Sequence, residues 1–256
     1  MVNYTIIGGG KLARHFSHYF SLLGLPHTAW ARDRFSEINT SHQHDAAQRL
    51  KHAIADSKRV LLLVSDNAIK PLLKQYPFLH DKQLIHCSGA MSFPGVAGVH
   101  PLMTFPDDLY TLEIYQSVPF MLESGHEFTT LFPGLENPHF SIEVENKARY
   151  HAMCVAAGNF TQILWRAVSS RFESQLGLPP ETLNPYLQQL SENFRVSPEN
   201  ALTGPHSRGD VQTIERNLQS LQGDALQDLY ASFTDFYSKE QQVSPHTDSL
   251  AKGQVL

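Results

Sequence analysis

The chain has 256 residues, 41% of them apolar and 18% charged, with a formal net charge of −5. That composition describes a globular protein of one large domain or two modest ones, long enough to bury a core. It shows no basic face of the kind nucleic acid selects and no uninterrupted apolar run of about 18 residues for a membrane span.

No basic stretch leads into an apolar one at the start, so no secretory leader is expected. The two cysteines, Cys87 and Cys154, suggest no disulfide framework, and a cytoplasmic location is the expectation. His42 and His44 have no further ligands at metal-site spacing, so no metal is expected.

Through residue 145, strand-like and helix-like stretches alternate. Apolar runs of strand length occur at Tyr4–Ile7, His27–Ala31, Val60–Val64, Gln83–Cys87 and Val118–Leu122. Helical patterns occur at Lys11–Leu23, Ala46–Ala55, Ala68–Gln75 and Glu127–Leu135. Alternation of this kind predicts a doubly wound parallel sheet with helices on both faces. The run 60–64 is apolar at every position, as a strand covered on both sides should be.

Between the first strand and first helix, residues 8–13 read GGGKLA, which fits G-x-G-x-x-A. Gly8 allows the tight turn, Gly10 lets a pyrophosphate approach the backbone, and Ala13 lets the helix pack close. The helix N-terminus then offers free N–H groups and a favourable dipole to the phosphates. Gly8, Gly9, Gly10, Lys11 and Leu12 are therefore the candidate pyrophosphate residues. The alternative is a bare structural turn. A P-loop would need a G-K-[ST] ending, which is missing.

At the end of the second strand, NAD-binding proteins carry a carboxylate for the ribose 2′-hydroxyl. Here the sequence is Trp30-Ala31-Arg32-Asp33-Arg34, and Arg32 and Arg34 suit a 2′-phosphate. NADP(H) is the expected cofactor, although a two-residue shift would bring Asp33 into the acid's place. Ser65 and Asp66 follow the third strand, beside the expected cofactor, and can cap the next helix. Ile69 would either cover an adenine or join the core.

Two later breaks in apolar runs also fall where a doubly wound sheet lines its ligand crevice. In 85–90, Ser88 and Gly89 are candidates for contact with the nicotinamide. In 98–105, His100 precedes Pro101, which biases its backbone toward extended, and it could donate a proton or orient a substrate. It could equally bond a loop backbone.

From Asn146 the texture is helical: 146–177, 179–196, 210–222 and 224–242. The expected domains are 1–145 for nucleotide binding, 146–242 for substrate and dimerisation, and a polar tail at 243–256. Lys147, His151, Cys154 and Gly158 share one helical face. The positive end of the helix dipole disfavours a cation at Lys147, which makes it a candidate acid or base; the alternative is a surface lysine at a helix start. Thr203 and Arg208, before a helix that Asp210 could cap, are candidate substrate contacts. Helices with apolar faces make a homodimer the expected assembly.

The stretches GGGKLA (8–13), WAR (30–32), HCSGA (86–90), HPLMTF (100–105), KARYHAMCVAAGNF (147–160) and ALTGPHSRGD (201–210) together resemble a bacterial group. Its members pair a Rossmann-like domain with a C-terminal domain of unknown function and are often labelled NADP oxidoreductases. The group is similar to pyrroline-5-carboxylate reductase, ketopantoate reductase, prephenate dehydrogenase and the β-hydroxyacid dehydrogenases. The resemblance implies a 6-phosphogluconate-dehydrogenase-like fold, in which a helical second domain completes the active site and often dimerises.

It also implies roles for particular residues. His100-Pro101 is similar to a histidine-proline pair near the nicotinamide in prephenate dehydrogenases. Lys147 matches the catalytic lysine of the hydroxyacid enzymes, with His151 where those enzymes place an asparagine. The expected function is hydride transfer between NADP(H) and a small carbonyl or imine substrate, with or without a carboxylate. His100, Lys147 and His151 are the catalytic candidates. The alternative is a non-catalytic NADP(H)-binding sensor or interaction protein.

Overall fold

The computed structural model describes residues 4–31 and 40–243. Its strands are β1 (Tyr4–Ile7), β2 (His27–Trp30), β3 (Arg59–Leu62), β4 (Gln83–His86), β5 (Ala97–Pro101), β6 (Phe120–Glu123) and β7 (His139–Ile142). They form one sheet in the order β2-β1-β3-β4-β5-β6-β7. The pairs from β2 to β5 are parallel, β5 and β6 are antiparallel, and β6 and β7 are parallel.

The strands alternate with α1 (Lys11–Leu22), α2 (Thr40–Ile54), α3 (Asp66–Gln75), α4 (Leu112–Ser117) and α5 (Phe128–Leu131). Each strand residue points opposite to the next. Tyr4 and Ile6 therefore join a core with Phe16 and Phe20 of α1, Tyr115 of α4 and Phe128 of α5. Ile7 faces the other way, into a second core with Leu50 and Ile54 of α2 and Ile69 and Leu73 of α3. Both faces of the central strands are covered, which is why 60–62 can be apolar throughout; each such large side chain contributes about 1.5–3 kcal/mol by burial.

The doubly wound expectation holds, and two strands were not anticipated. β5 is the sequence AGVHP, with a glycine and a proline in five residues. β7 is HFSI at the sheet edge, exposed along most of its length and so without the apolar alternation that marks a strand. The helix expected at 127–135 shrinks to the four residues of α5.

The chain divides into two compact units, Met1–Asn159 and Phe160–Leu256. The change of texture near residue 145 coincides with the end of the sheet at Ile142, and α6 (Lys147–Cys154) follows within the first unit. A π-helical segment, Val155–Phe160, interrupts the helical pattern before α7 (Thr161–Leu176).

The second unit continues with α8 (Asn184–Val196), α9 (Pro205–Arg208), α10 (Val211–Ser220) and α11 (Leu226–Val243). The carboxylate of Asp210 accepts the Thr213 N–H at 3.1 Å and caps α10. Arg171 holds Asp224 through two nitrogens. Among the described residues no helix is long and apolar enough to cross a membrane.

Candidate functional site

β1 has β2 on one side and β3 on the other, so the strand order reverses there, and open sheets of this kind bind ligands at that point, beyond the carboxyl ends of the strands. The glycine turn leaves β1 at this end. Gly8 has φ +147°, and its N–H donates to the Trp30 carbonyl at 2.9 Å. A Cβ on Gly8 would fall 2.1 Å from the Leu63 carbonyl oxygen, so only glycine fits.

Gly10 is the N-cap of α1. No side chain caps the helix and its first turn holds no acid. Nothing lies within 4 Å of where a Gly10 Cβ would stand. The helix therefore opens on uncapped N–H groups with space before them, as a diphosphate requires. Ala13 is buried in the core behind the turn, and Leu12 packs against that core.

Beside the turn lies a cleft of about 410 Å³, lined by Gly8, Gly9, Ala31, Val64, Ala68 and Leu72 among others. That is the size of a small-ligand pocket. Lys11 pairs its ammonium with Asp107 at 3.1 Å, and both side chains are more than half exposed, so the pair contributes little. Arg32, Asp33 and Arg34 lie outside the described residues. Ile69 is 1% exposed and belongs to the core.

Because β1 to β5 run the same way, the ends of β4 and β5 share this edge, with β5 three strand spacings, about 14 Å, from β1. Ser65 stands at the N-cap of α3 without a capping bond from its side chain. Asp66 accepts the Ser88 hydroxyl at 2.6 Å, and Ser88 Oγ accepts the Met91 N–H at 3.0 Å. Ser88 thus ties the loop after β4 to α3.

Below that loop is a buried ionic cluster. Lys147, 3% exposed, donates to Glu123 Oε1 at 2.6 Å and to the Met91 carbonyl. Glu123 Oε2 accepts the Gly98 N–H at 3.2 Å. Burial alone would raise the Glu123 pKa, but Lys147, aided by His86 and Ser92, holds the carboxyl below its ordinary value. A Cβ on Gly98 would lie 2.4 Å from Glu123 and 2.7 Å from Lys147 Nζ, so the pair occupies the place of a side chain.

His86 accepts the Ser88 N–H at Nδ1, 3.2 Å, while its Nε2 has no hydrogen-bond partner among the described residues. Burial, and then the Lys147 charge, push its pKa down to about 4. It is neutral at pH 7, and its 3.8 Å approach to Glu123 is not an ion pair.

His100, Tyr150 and His151 form a second cluster at the same edge. His100 Nδ1 lies 2.8 Å from the Tyr150 hydroxyl, and its ring meets that of His151 edge-on at 6.0 Å. Gly89, in the loop after β4, packs against both: a Cβ there would lie 2.5 Å from His151 Cδ2 and 3.1 Å from His100 Nε2. Burial is the main cause, with His151 and Lys147 adding to it, of a His100 pKa lowered to about 4. Burial likewise raises the Tyr150 phenol, with Cys154 one helical turn on contributing. Both groups are therefore neutral at pH 7.

The structure thus gathers Ser88, Gly89, His100, Lys147 and His151 around the ends of β4 and β5. Thr203 and Arg208 lie in the second unit, Arg208 as the last residue of α9. Three members of the clusters, His86, Glu123 and Tyr150, were not read from the sequence. Glu123 carried a signal, since an acid ending an apolar strand needs a buried counter-charge. Tyr150 carried none beyond its place one turn from Lys147. Among the described residues no group of three His, Cys, Asp or Glu side chains could hold a metal ion.

Residues 122–236 match a family model described as a domain of unknown function, DUF2520. No curated protein matches the chain. Among solved structures, a Bacteroides fragilis protein provisionally named an NADP oxidoreductase superimposes with a TM-score of 0.71 at 19% identity, covering 93% of this chain and 98% of its own. A Thermotoga maritima protein gives 0.67 at 26% identity, over 94% and 100%. A Plasmodium falciparum pyrroline carboxylate reductase, solved with NADP bound, gives 0.52 at 13% identity, over 95% and 94%. These likenesses establish the Rossmann-like fold with a helical C-terminal part, as the resemblance implied.

Proposed function

We propose that this protein is an NADP(H)-dependent oxidoreductase that moves a hydride between the nicotinamide and a small carbonyl or imine substrate. One observation carries the reading: a turn that only glycine can make opens on an uncapped helix N-terminus, at the edge where the chain also places His100. The Bacteroides and Plasmodium neighbours, by their names, support the choice of chemistry and cofactor. Gly8, Gly9, Gly10, Lys11 and Leu12 hold the diphosphate, and Arg32 and Arg34 take the 2′-phosphate.

The nicotinamide supplies or accepts the hydride; the chain's own residues bind, orient and handle the proton. Lys147 is committed to Glu123 and Met91 in a buried pair, so its part is to hold the β4 and β5 loops in place. His100 is the group that meets the substrate, with His151 beside it.

A His100→Asn variant is expected to bind NADPH as the wild type does while losing at least about a hundredfold in kcat, the usual worth of a positioned acid or base. Assay against a panel of keto acids, ketones and cyclic imines checks it. Unchanged turnover would remove His100 from the chemistry. Binding of NADPH by the wild type with no turnover of any panel member would favour a sensor.

The second unit has one buried apolar side chain among its described residues, Leu183, while Tyr186, Phe194 and Val196 of α8 are each more than 60% exposed. So large an apolar surface without a core of its own calls for a partner, and a second copy of this chain is the occupant we propose. Light scattering in solution is expected to give twice the 28.8 kDa monomer mass. A monomer at micromolar concentration would refute the dimer.

A further inference from the structure

His100 is neutral at pH 7, so one ring nitrogen carries a proton and the other a lone pair. Which is which decides what it can offer a substrate. Its Nδ1 is 2.8 Å from the Tyr150 hydroxyl, and its Nε2 is the nitrogen that lies against Gly89, in the loop after β4.

We propose that Tyr150 is a positioning residue that donates its O–H to His100 Nδ1 and thereby fixes the proton on Nε2, so that His100 offers substrate a neutral hydrogen-bond donor rather than a base. The proposal rests on the reading of His100 as the substrate-facing group.

The direction of the bond follows from the two partners. A phenol O–H is a better donor than a neutral imidazole N–H, and an imidazole nitrogen is a far better acceptor than a phenol oxygen. The strong arrangement is therefore O–H to Nδ1. The reverse would pair the weaker donor with the weaker acceptor in a place where burial makes the loss expensive.

The surroundings agree. The tyrosine is half-buried and stays protonated, since burial raises its phenol and a hydrogen bond with Cys154 adds to that effect; a thiol S–H can donate to the phenol oxygen, which leaves the phenol O–H for Nδ1. The lysine that could have served as a donor nearby, Lys147, is held by Glu123. Gly89 has no side chain to come between Nε2 and the end of β4. A neutral N–H at that place would hydrogen-bond the heteroatom of a carbonyl or imine and polarise it.

The test is nitrogen NMR of histidine-labelled full-length protein, together with kinetics of Tyr150→Phe. In the wild type, His100 is expected to show an unprotonated, hydrogen-bonded Nδ1 and a protonated Nε2. In Y150F, the Nδ1 resonance should move as its donor is lost. Turnover in Y150F should fall about tenfold in kcat with the NADPH Kd unchanged, the worth of one hydrogen bond. A protonated Nδ1 in the wild type overturns the proposal, and that spectrum needs no variant to fold. So does a Y150F kcat within twofold of wild type while His100→Asn abolishes turnover. If the wild type turns over nothing, the functional reading fails by itself, and the nitrogen spectrum still decides the tautomer.

Discussion

Glu123→Ala is expected to cost about 3–5 kcal/mol of stability, enough to unfold a large fraction of the protein at 37 °C. Its side chain is 5% exposed and that of Lys147 4%, so neither can turn to water when its partner is gone. The variant leaves an ammonium in the interior with the Met91 carbonyl as its one remaining acceptor among the described residues. Lys147→Met should cost a comparable amount, because it leaves a buried carboxylate without its counter-charge, held by the Gly98 N–H and Ser92.

The double variant Glu123→Leu/Lys147→Met should recover much of the loss, since no charge is then stranded. Chemical denaturation of the four proteins measures this. A Glu123→Ala penalty below about 1 kcal/mol would mean the pair is solvated, contrary to its burial.

Acid acts in the same direction. His86 and His100 have folded pKa values of about 4 against an ordinary 6.5. As pH falls from 6.5 toward 4, the unfolded chain takes up protons that the folded chain refuses, and stability drops. Glu123 has a lowered pKa, so its contribution is present above the ordinary carboxylate range and is lost as pH falls below it. The denaturation midpoint is therefore expected to be lower at pH 5 than at pH 7.

Gly8→Ala carries the other large effect. At φ +147° any side chain is strained, and the new Cβ would lie 2.1 Å from the Leu63 carbonyl oxygen, which is backbone and cannot swing aside. The expected loss is about 3 kcal/mol or more. The turn must move to relieve it, and since Gly8 N–H bonds Trp30 and Leu63 N–H bonds Ile7, the ends of β1, β2 and β3 move with it. Nucleotide affinity should fall with the fold. A thermal melt within 2 °C of wild type would show that the turn tolerates a side chain.

The glycine turn was legible because each of its positions is set by local geometry. The strands with buried faces on both sides were legible for the same reason: burial writes itself as apolar residues. β5 and β7 were not, because AGVHP and HFSI are held by pairing with neighbours rather than by their own composition. Lys147 and His100 could be picked out as polar groups at breaks in a pattern. Their pairing with Glu123 and Tyr150 could not be read, since 24 and 50 residues of chain separate the partners and only the folded sheet brings them together. The difference matters for role: read alone, Lys147 is a free acid or base, and beside Glu123 it is half of a structural pair.

Gly10 offers the most direct test of the central claim, that the turn after β1 binds a diphosphate. A Cβ there meets nothing within 4 Å, so Gly10→Ala should fold as the wild type does, within about 0.5 kcal/mol. The measurement is calorimetric titration of NADPH into both proteins. The account predicts binding to the wild type and at least about tenfold weaker binding to Gly10→Ala, because the added methyl occupies the space a phosphate needs. No heat from the wild type at millimolar NADPH, or equal affinity in the two, would contradict it.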